Sequence, residues 1–343
     1  MKILLISPIV TPITTEARYV GIEKLVYQFA EELVKEHDVS VMCHKDSVFP
    51  EGVKTLPALL PLGNLFIQGE LRHYQSYGYM LRSFDIVHDF SHSQFASRYN
   101  PNLPSLNPFW HSPRMDKYPK SPYNIIALSE WAAREFKRIY LQDARYVQYI
   151  VVGDEYVPLP KSRKTDRFLT LGKMSPEKGN LAAIMLCKEL ALPLDVVGAR
   201  GVENSGELSE YEQAIQALCD GKQIKFHGEI DDVAKIRLLQ TCRGLLYAMP
   251  PSYSEVTSHK VQEALLCGAP VISSAVGAMP EIVTHGVDGF LCGGEQDFKD
   301  NLKRVDELDP SKTLESNLKK YSIHNVVAEY VKLYEQVKGG LRW

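Results

Sequence analysis

The chain contains no stretch of roughly 18 apolar residues, the least that a membrane-spanning helix needs, so no such span is expected. Its apolar start, Ile3-Leu4-Leu5-Ile6, runs straight into Ser7-Pro8, which is strand length and too short for a secretory signal core. Basic residues are not in excess either. Against 42 Asp and Glu stand 39 Lys and Arg, giving a net charge of −3. That balance leaves no broad positive face for nucleic acid, so any anion must be gripped locally by a few placed groups. The six cysteines (43, 187, 219, 242, 267, 292) form no Cys-x-x-Cys pair and no metal-ligand spacing. Several lie in apolar runs such as Ala264-Leu265-Leu266-Cys267, as small buried thiols do. A reducing, cytoplasmic setting is the expectation. No Asp-x-Asp motif is present that would hold a divalent cation on a phosphate.

What is present is material for two domains. The chain has 343 residues, 45% hydrophobic and 24% charged, enough for two units that each bury a core. Lys2 to Ser7 reads as a buried strand. Ile22, Leu25, Val26, Phe29, Ala30, Leu33 and Val34 then recur at helical spacing, with Glu23, Lys24, Glu31, Glu32 and Lys35 on the other side. Asp38 to Cys43 supplies a second strand, so the first 43 residues form a βαβ unit. Residues 85–88 and 124–128 read as further strands, and 130–140 as a helix. Between residues 48 and 83 a proline-broken apolar run, Leu56 to Leu62, reads as a packed surface loop, with peripheral membrane contact as the other possibility. Val157 to Arg167 carries two prolines, mixed charge and no period, as linkers do. After it, strands at 168–171, 194–197, 224–226, 245–247 and 270–273 alternate with helices. The expectation is α/β: two Rossmann-like, doubly wound parallel-sheet domains, 1–160 and 161–321, facing a cleft. A terminal helix within 322–343 is expected to pack back on the first. In such sheets ligands sit beyond the carboxyl ends of the strands.

Four constellations fall where strands end. In Tyr19-Val20-Gly21-Ile22-Glu23 a glycine opens a helix, where backbone N–H groups can approach a phosphate; a plain turn reads the same way. In Leu171-Gly172-Lys173-Met174-Ser175-Pro176-Glu177-Lys178-Gly179 two lysines five apart leave a strand and can converge on one diphosphate, although surface lysines are ordinarily just solvated. Glu255 and Glu263 are separated by seven residues, one in a loop and one inside a short apolar helix. A carboxylate there accepts paired sugar or ribose hydroxyls, and the helix start near Ser258, His259 and Lys260 offers free N–H groups. Finally, Phe109-Trp110-His111-Ser112 places a histidine after a strand that reads as ending near Leu106. His88 and His92 compete with His111 for a catalytic role, and a lone histidine is more often structural.

In this order the pieces resemble family 4 of the retaining GT-B glycosyltransferases, over nearly the whole chain and most densely from Phe168 to Cys292. The resemblance implies that the loop Val20-Gly21-Ile22-Glu23 approaches the donor diphosphate. Gly172, Lys173, Lys178 and Gly179 match the turn whose basic residues hold it. Glu255 and Glu263 match the paired glutamates that take the donor sugar and the ribose. Lys225 to Ile230 resembles the base-binding loop, with backbone near Ile230 against the base. Asn107 to Ser112 resembles the stretch carrying the active-site histidine, here His111. There are departures. Val20 replaces one of two usual glycines, Val256-Thr257-Ser258 replaces Gly-Phe-Gly, and Val152-Gly153-Asp154 shortens a usual Asn-Gly-Val-Asp. Ser258, His259 and Lys260 offer substitute donors to the phosphates.

The implied activity is transfer of a sugar from a UDP-, GDP- or ADP-sugar to a carbohydrate, lipid-linked or small-molecule acceptor, with retention. No separate cofactor and no metal are implied, and His111, Glu255 and Lys178 are the implied catalytic residues. Two alternatives share the fold: a nucleotide-sugar epimerase, and a nucleotide-sugar-binding protein that has lost catalysis.

Overall fold

A computed structural model describes residues 1–14, 21–58, 66–110, 123–149, 153–198 and 209–343. The chain divides into two compact units, Met1–Val151 with Tyr321–Trp343, and Val152–Lys320.

The first unit is a parallel sheet of seven strands: β1 (Lys2–Ile6), β2 (Asp38–Cys43), β3 (Lys54–Pro57), β4 (Ile86–Asp89), β5 (Ser105–Phe109), β6 (Ile125–Ala127) and β7 (Ala144–Tyr146). Their spatial order is β3-β2-β1-β4-β5-β6-β7. Helices α1 (Gly21–Leu33), α2 (Phe66–Tyr77), α3 (Phe95–Tyr99) and α4 (Glu130–Tyr140) connect them. The stripe read from the sequence is the buried one: Leu25, Val26, Phe29, Ala30 and Leu33 of α1 face the core. The stretch read as a loop between 48 and 83 instead contains a strand and a helix, because Leu56-Pro57 ends an edge strand, where a proline costs no ladder bond. Of the apolar run, residues 59–62 lie outside the described residues. Strand β5 also runs past Leu106 through Pro108. It pairs with β4 only at Ser105 and Leu106, and with β6 from Asn107 to Phe109. One flank is therefore free of the ladder where the proline lacks its N–H.

The second unit repeats the plan with six parallel strands: β8 (Phe168–Leu171), β9 (Leu194–Val197), β10 (Ile224–Gly228), β11 (Gly244–Tyr247), β12 (Val271–Ser274) and β13 (Gly289–Cys292). The order is β10-β9-β8-β11-β12-β13. Between and after them run α5 (Asn180–Glu189), α6 (Glu210–Leu218), α7 (Asp232–Thr241), α8 (His259–Leu266), α9 (Met279–Ile282), α10 (Glu295–Lys303) and α11 (Ser311–Tyr321). Phe168, Leu194, Val196, Leu246 and Ile272 from five places in the sheet join Ala183, Ile184 and Cys187 of α5 in one core. Arg167 pins the starts of three strands: its guanidinium donates to Asp195 at 3.0 Å, to the Leu194 carbonyl at 2.7 Å and to the Gln223 carbonyl at 3.1 Å.

The last helix, α12 (Ile323–Lys338), belongs to the first unit and packs on α1. Trp343 then donates its indole N–H to the Ile125 carbonyl at 2.9 Å, under the Arg145 guanidinium.

Both sheets have the order 3-2-1-4 at their centres. A strand order that reverses direction leaves a crevice at the carboxyl ends of the two central strands, β1 and β4 in one unit and β8 and β11 in the other.

Candidate functional site

In the second unit the crevice is furnished by backbone before side chains. Gly179 follows the turn Pro176–Lys178 with φ of +70°, a conformation glycine adopts without strain. A Cβ there would fall 1.9 Å from the Ala248 carbonyl oxygen. The turn after β8 therefore lies directly on the exit of β11, and that close approach delivers Lys178 to the crevice. Gly277 plays the same part for the other wall. It has φ of +58°, and a Cβ would fall 2.3 Å from the Glu255 carbonyl oxygen. That oxygen accepts from the Ala278 N–H at 2.9 Å. Neither contact leaves a trace in residue spacing.

The side chains converge on Glu255. The Lys178 ammonium donates to Glu255 Oε1 at 2.5 Å and to the Tyr253 hydroxyl at 3.0 Å. The Tyr247 hydroxyl donates to the same Oε1, and Tyr253 donates to Oε2 at 3.2 Å. Burial works against the Lys178 ammonium, but Glu255 and Tyr253 outweigh it and hold its pKa above the ordinary lysine value. Tyr253 is pushed up, first by burial and then by Glu255. Lys260, in the first turn of α8, lies with Nζ 3.3 Å from the Tyr247 ring centroid and donates to the Leu171 carbonyl at 2.6 Å. Burial lowers its pKa to about 7, with Glu255 opposing and Lys178 reinforcing the shift. The result is an ammonium, a second amine of lowered pKa and a carboxylate at the carboxyl ends of β8 and β11. Tyr247 was not singled out by the sequence. As the last residue of a buried strand it reads as core, and only its hydroxyl reaches the site.

The remaining residues of interest are placed as follows. Lys173 is exposed in the turn after β8. Ser258 caps α8 without donating or accepting through its side chain at the helix end, and His259 opens the helix. Glu263 lies one turn further in and accepts from Lys235 of α7 at 3.1 Å. Lys235 in turn reaches Asp232 at 3.1 Å and lies over the Tyr156 ring. Ile230 follows β10, half-buried, just before the Asp231 side chain that caps α7. His227, in the same stretch, is held by Asp195 at 2.9 Å. Lys178, Glu255 and Lys260 are thus brought together, while Glu263 belongs to a neighbouring ion-paired group.

In the first unit, Gly21 opens α1, and among the described residues nothing lies within 4 Å of where its Cβ would stand. His111 lies outside the described residues. His88, a competing catalytic candidate, sits inside β4 and is fully buried. Its two ring nitrogens are taken by the hydroxyls of Tyr149 at 2.8 Å and Tyr334 at 2.7 Å. Burial holds it well below the usual histidine pKa, so it is a neutral cross-link between β4 and α12. His92 is half-buried, with its Nδ1 3.8 Å from Glu70.

Comparison with known proteins is informative at this point. The sequence model of the family described as "Glycosyl transferases group 1" matches residues 156–324. N-acetyl-alpha-D-glucosaminyl L-malate synthase of Bacillus anthracis is 28% identical over 133 residues, 36% of this chain and 34% of the relative. The chain's aligned part thus spans about a third of that relative's length. Among solved structures, a glycosyltransferase involved in avilamycin A biosynthesis covers 100% of this chain and 99% of its own, with a TM-score of 0.69 at 19% identity. Anabaena HepE, solved in complex with UDP and glucose, covers 98% and 99%, with a TM-score of 0.74 at 16% identity. Residues 156–324 therefore carry the sequence of the glycosyl transferases group 1 family, on a chain whose two parallel-sheet units have the GT-B fold.

Proposed function

We propose that this chain transfers a glycosyl group from a nucleoside diphosphate sugar to an acceptor hydroxyl, with retention of the anomeric configuration. The observation that carries the reading is the Lys178–Glu255–Tyr253–Tyr247 cluster at the carboxyl ends of β8 and β11, inside the stretch that matches the family. As the bond from the anomeric carbon to the diphosphate oxygen breaks, both its electrons pass to the diphosphate. A preassembled ammonium then stabilises the departing group more than the ground state. Lys178 supplies that charge, Glu255 and Tyr253 hold it in place, and Lys173 is an exposed second cation on the same turn. The acceptor oxygen bonds to the anomeric carbon on the face the diphosphate leaves, and its proton passes to a departing phosphate oxygen. Glu255 takes the donor sugar, Glu263 the ribose, and the backbone near Ile230 the base. The start of α8, with Ser258 and His259, receives the phosphates, and Gly21 and His111 are the residues of the first unit assigned to the same reaction. In this reading the lysines carry the charge that a divalent ion carries in metal-using transferases.

The test begins with the melting temperature of the whole chain against UDP-, GDP- and ADP-sugars. A ligand at 100 times its Kd stabilises by about 2.7 kcal/mol, a shift of several degrees. UDP-glucose is the first donor to try, because HepE was solved with UDP and glucose. With the donor known, NMR of the product of an acceptor screen reads the anomeric configuration. An α-configured donor giving an α-product, with turnover unchanged in EDTA, is the expected outcome. No shift with any donor overturns the proposal, and a β-product overturns retention.

A further inference from the structure

The crevice of the first unit holds a different kind of site. A partly open cavity of about 20 Å³ lies at the carboxyl ends of β1 and β4, enough for one hydroxyl group or one water. Its polar lining is Ser7, Glu70, His73, Tyr74, Asp89 and Ser91, and Met42 and Phe95 contribute apolar walls. Ser7 and Asp89 are 1% and 0% exposed. Among the described residues, neither Ser7 Oγ nor Asp89 Oδ2 has a hydrogen-bond partner. Asp89 is fixed by its other oxygen, which accepts from the Ser91 N–H at 3.0 Å and the Ser91 hydroxyl at 2.6 Å. Buried polar atoms are nearly always paired, so two unpaired ones lining the same cavity mark a place for a ligand group that both donates and accepts.

The charge around the cavity limits what that group is. Glu70 is buried and accepts from the His92 and Ser93 N–H groups at 3.1 and 2.8 Å. Burial raises the Asp89 carboxyl to about 7, Ser91 and the Ala96 N–H ease it back, and Glu70 adds to the rise. His73 is bonded to the Leu56 carbonyl at 3.2 Å, and burial lowers its pKa, which favours the neutral ring. Among the described residues, no lysine or arginine lines the cavity. A phosphate or carboxylate placed there would face two carboxyl groups and no cation among the described lining residues.

We propose that the Ser7–Asp89 cavity seats an uncharged hydroxyl of the acceptor and rejects acceptors that present phosphate or carboxylate at that point. This rests on the transfer reading above, and it assigns the acceptor to neutral polyols and sugars. The hydroxyl donates to Asp89 Oδ2 and accepts from Ser7 Oγ. A site built around a bonded hydroxyl discriminates strongly, because a ligand lacking that hydroxyl leaves its buried groups unpaired.

The test is saturation-transfer NMR on the whole chain with UDP present, using a matched pair of probes, myo-inositol and inositol 3-phosphate. UDP occupies the diphosphate site and so removes it as a second landing place for the phosphate. The expected result is binding of myo-inositol at least about tenfold tighter than of its phosphate, as the loss of one charge-assisted hydrogen bond implies. Ser7→Ala and Asp89→Asn should each weaken myo-inositol by about that factor, and Asp89→Asn should narrow the gap between the probes. The UDP signals should stay unchanged in both variants. Ser7→Ala removes no internal hydrogen bond, so it keeps the test readable if Asp89→Asn folds poorly. Equal or tighter binding of the phosphate, no binding of either probe, or indifference to both substitutions overturns the proposal. Failure of UDP to bind is a separate result, and it counts against the transfer reading instead.

Discussion

The two units place their crevices at the same point of the same strand order and furnish them in opposite ways. Beyond β8 and β11 the side chains are long, with Lys178 ion-paired to Glu255 and Lys260 lying over Tyr247. Beyond β1 and β4 the polar ones are buried, with the Asp89 carboxyl drawn toward neutrality. The topology creates a place for a ligand in both. The chemistry differs because a buried charge survives only with a partner, and Lys178 has one at 2.5 Å where Asp89 has none but hydroxyl and amide groups. A shared topology therefore says where to look and nothing about what binds.

The largest expected effect breaks this contrast on its charged side. Lys178→Ala removes the cation and leaves Glu255 half-buried beside two phenols. With a donor identified, kcat/KM should fall by about 10² to 10³, the usual cost of losing one positioned stabilising group. Steady-state kinetics check this, and unchanged turnover would sink the role given to Lys178. Next comes the backbone that carries it. Gly179→Ala puts a methyl group against the Ala248 carbonyl and a non-glycine residue at φ of +70°. Positive φ and overpacking together should cost on the order of 3 kcal/mol, read as a lower midpoint in urea.

Legibility in the sequence divides along the same line. The fold class was readable because helix α1 shows its stripe in Leu25, Val26, Phe29, Ala30 and Leu33, and because buried strands such as Leu245-Leu246 are apolar without alternation. The lysine turn and the glutamate pair were visible as spacing. Tyr247 and Gly277 were not, since their roles depend on contacts across β11, α8 and the turn after β12 that no local pattern encodes. Asp89 and Ser7 were hidden for a simpler reason. They are single polar residues at strand ends, and only the sheet order makes them neighbours.

A smaller effect sharpens the charged crevice. Lys260 has a pKa near 7 because burial disfavours its ammonium, with Lys178 adding to the drop and Glu255 opposing it. An unfolded lysine keeps its proton to about 10.4. Between these values the unfolded chain therefore binds more protons, and this residue's contribution makes stability rise with pH from about 7 to about 10. A bound diphosphate adds negative charge beside the amine and raises its pKa. At pH 8, UDP binding should then take up as much as about one proton. Calorimetry in buffers of different ionisation enthalpy measures it, and Lys260→Met should abolish it. Equal uptake in that variant would place the titrating group elsewhere.

The smallest effect compares the glycines that open the first helix of each unit. Gly179 is clamped by the Ala248 backbone, whereas a Cβ at Gly21 meets none of the described residues. Gly21→Ala should therefore change stability by no more than about 0.5 kcal/mol, as at an ordinary surface position. If Gly21 matters, it matters through a ligand that needs the bare backbone. The variant then keeps its urea midpoint and loses affinity for the donor, and titration with the donor in the same preparation reads both quantities. A loss of stability would show that the fold uses this glycine as it uses Gly179. Loss of neither would leave the two helix starts alike only in topology, with the phosphate-facing role confined to the second unit.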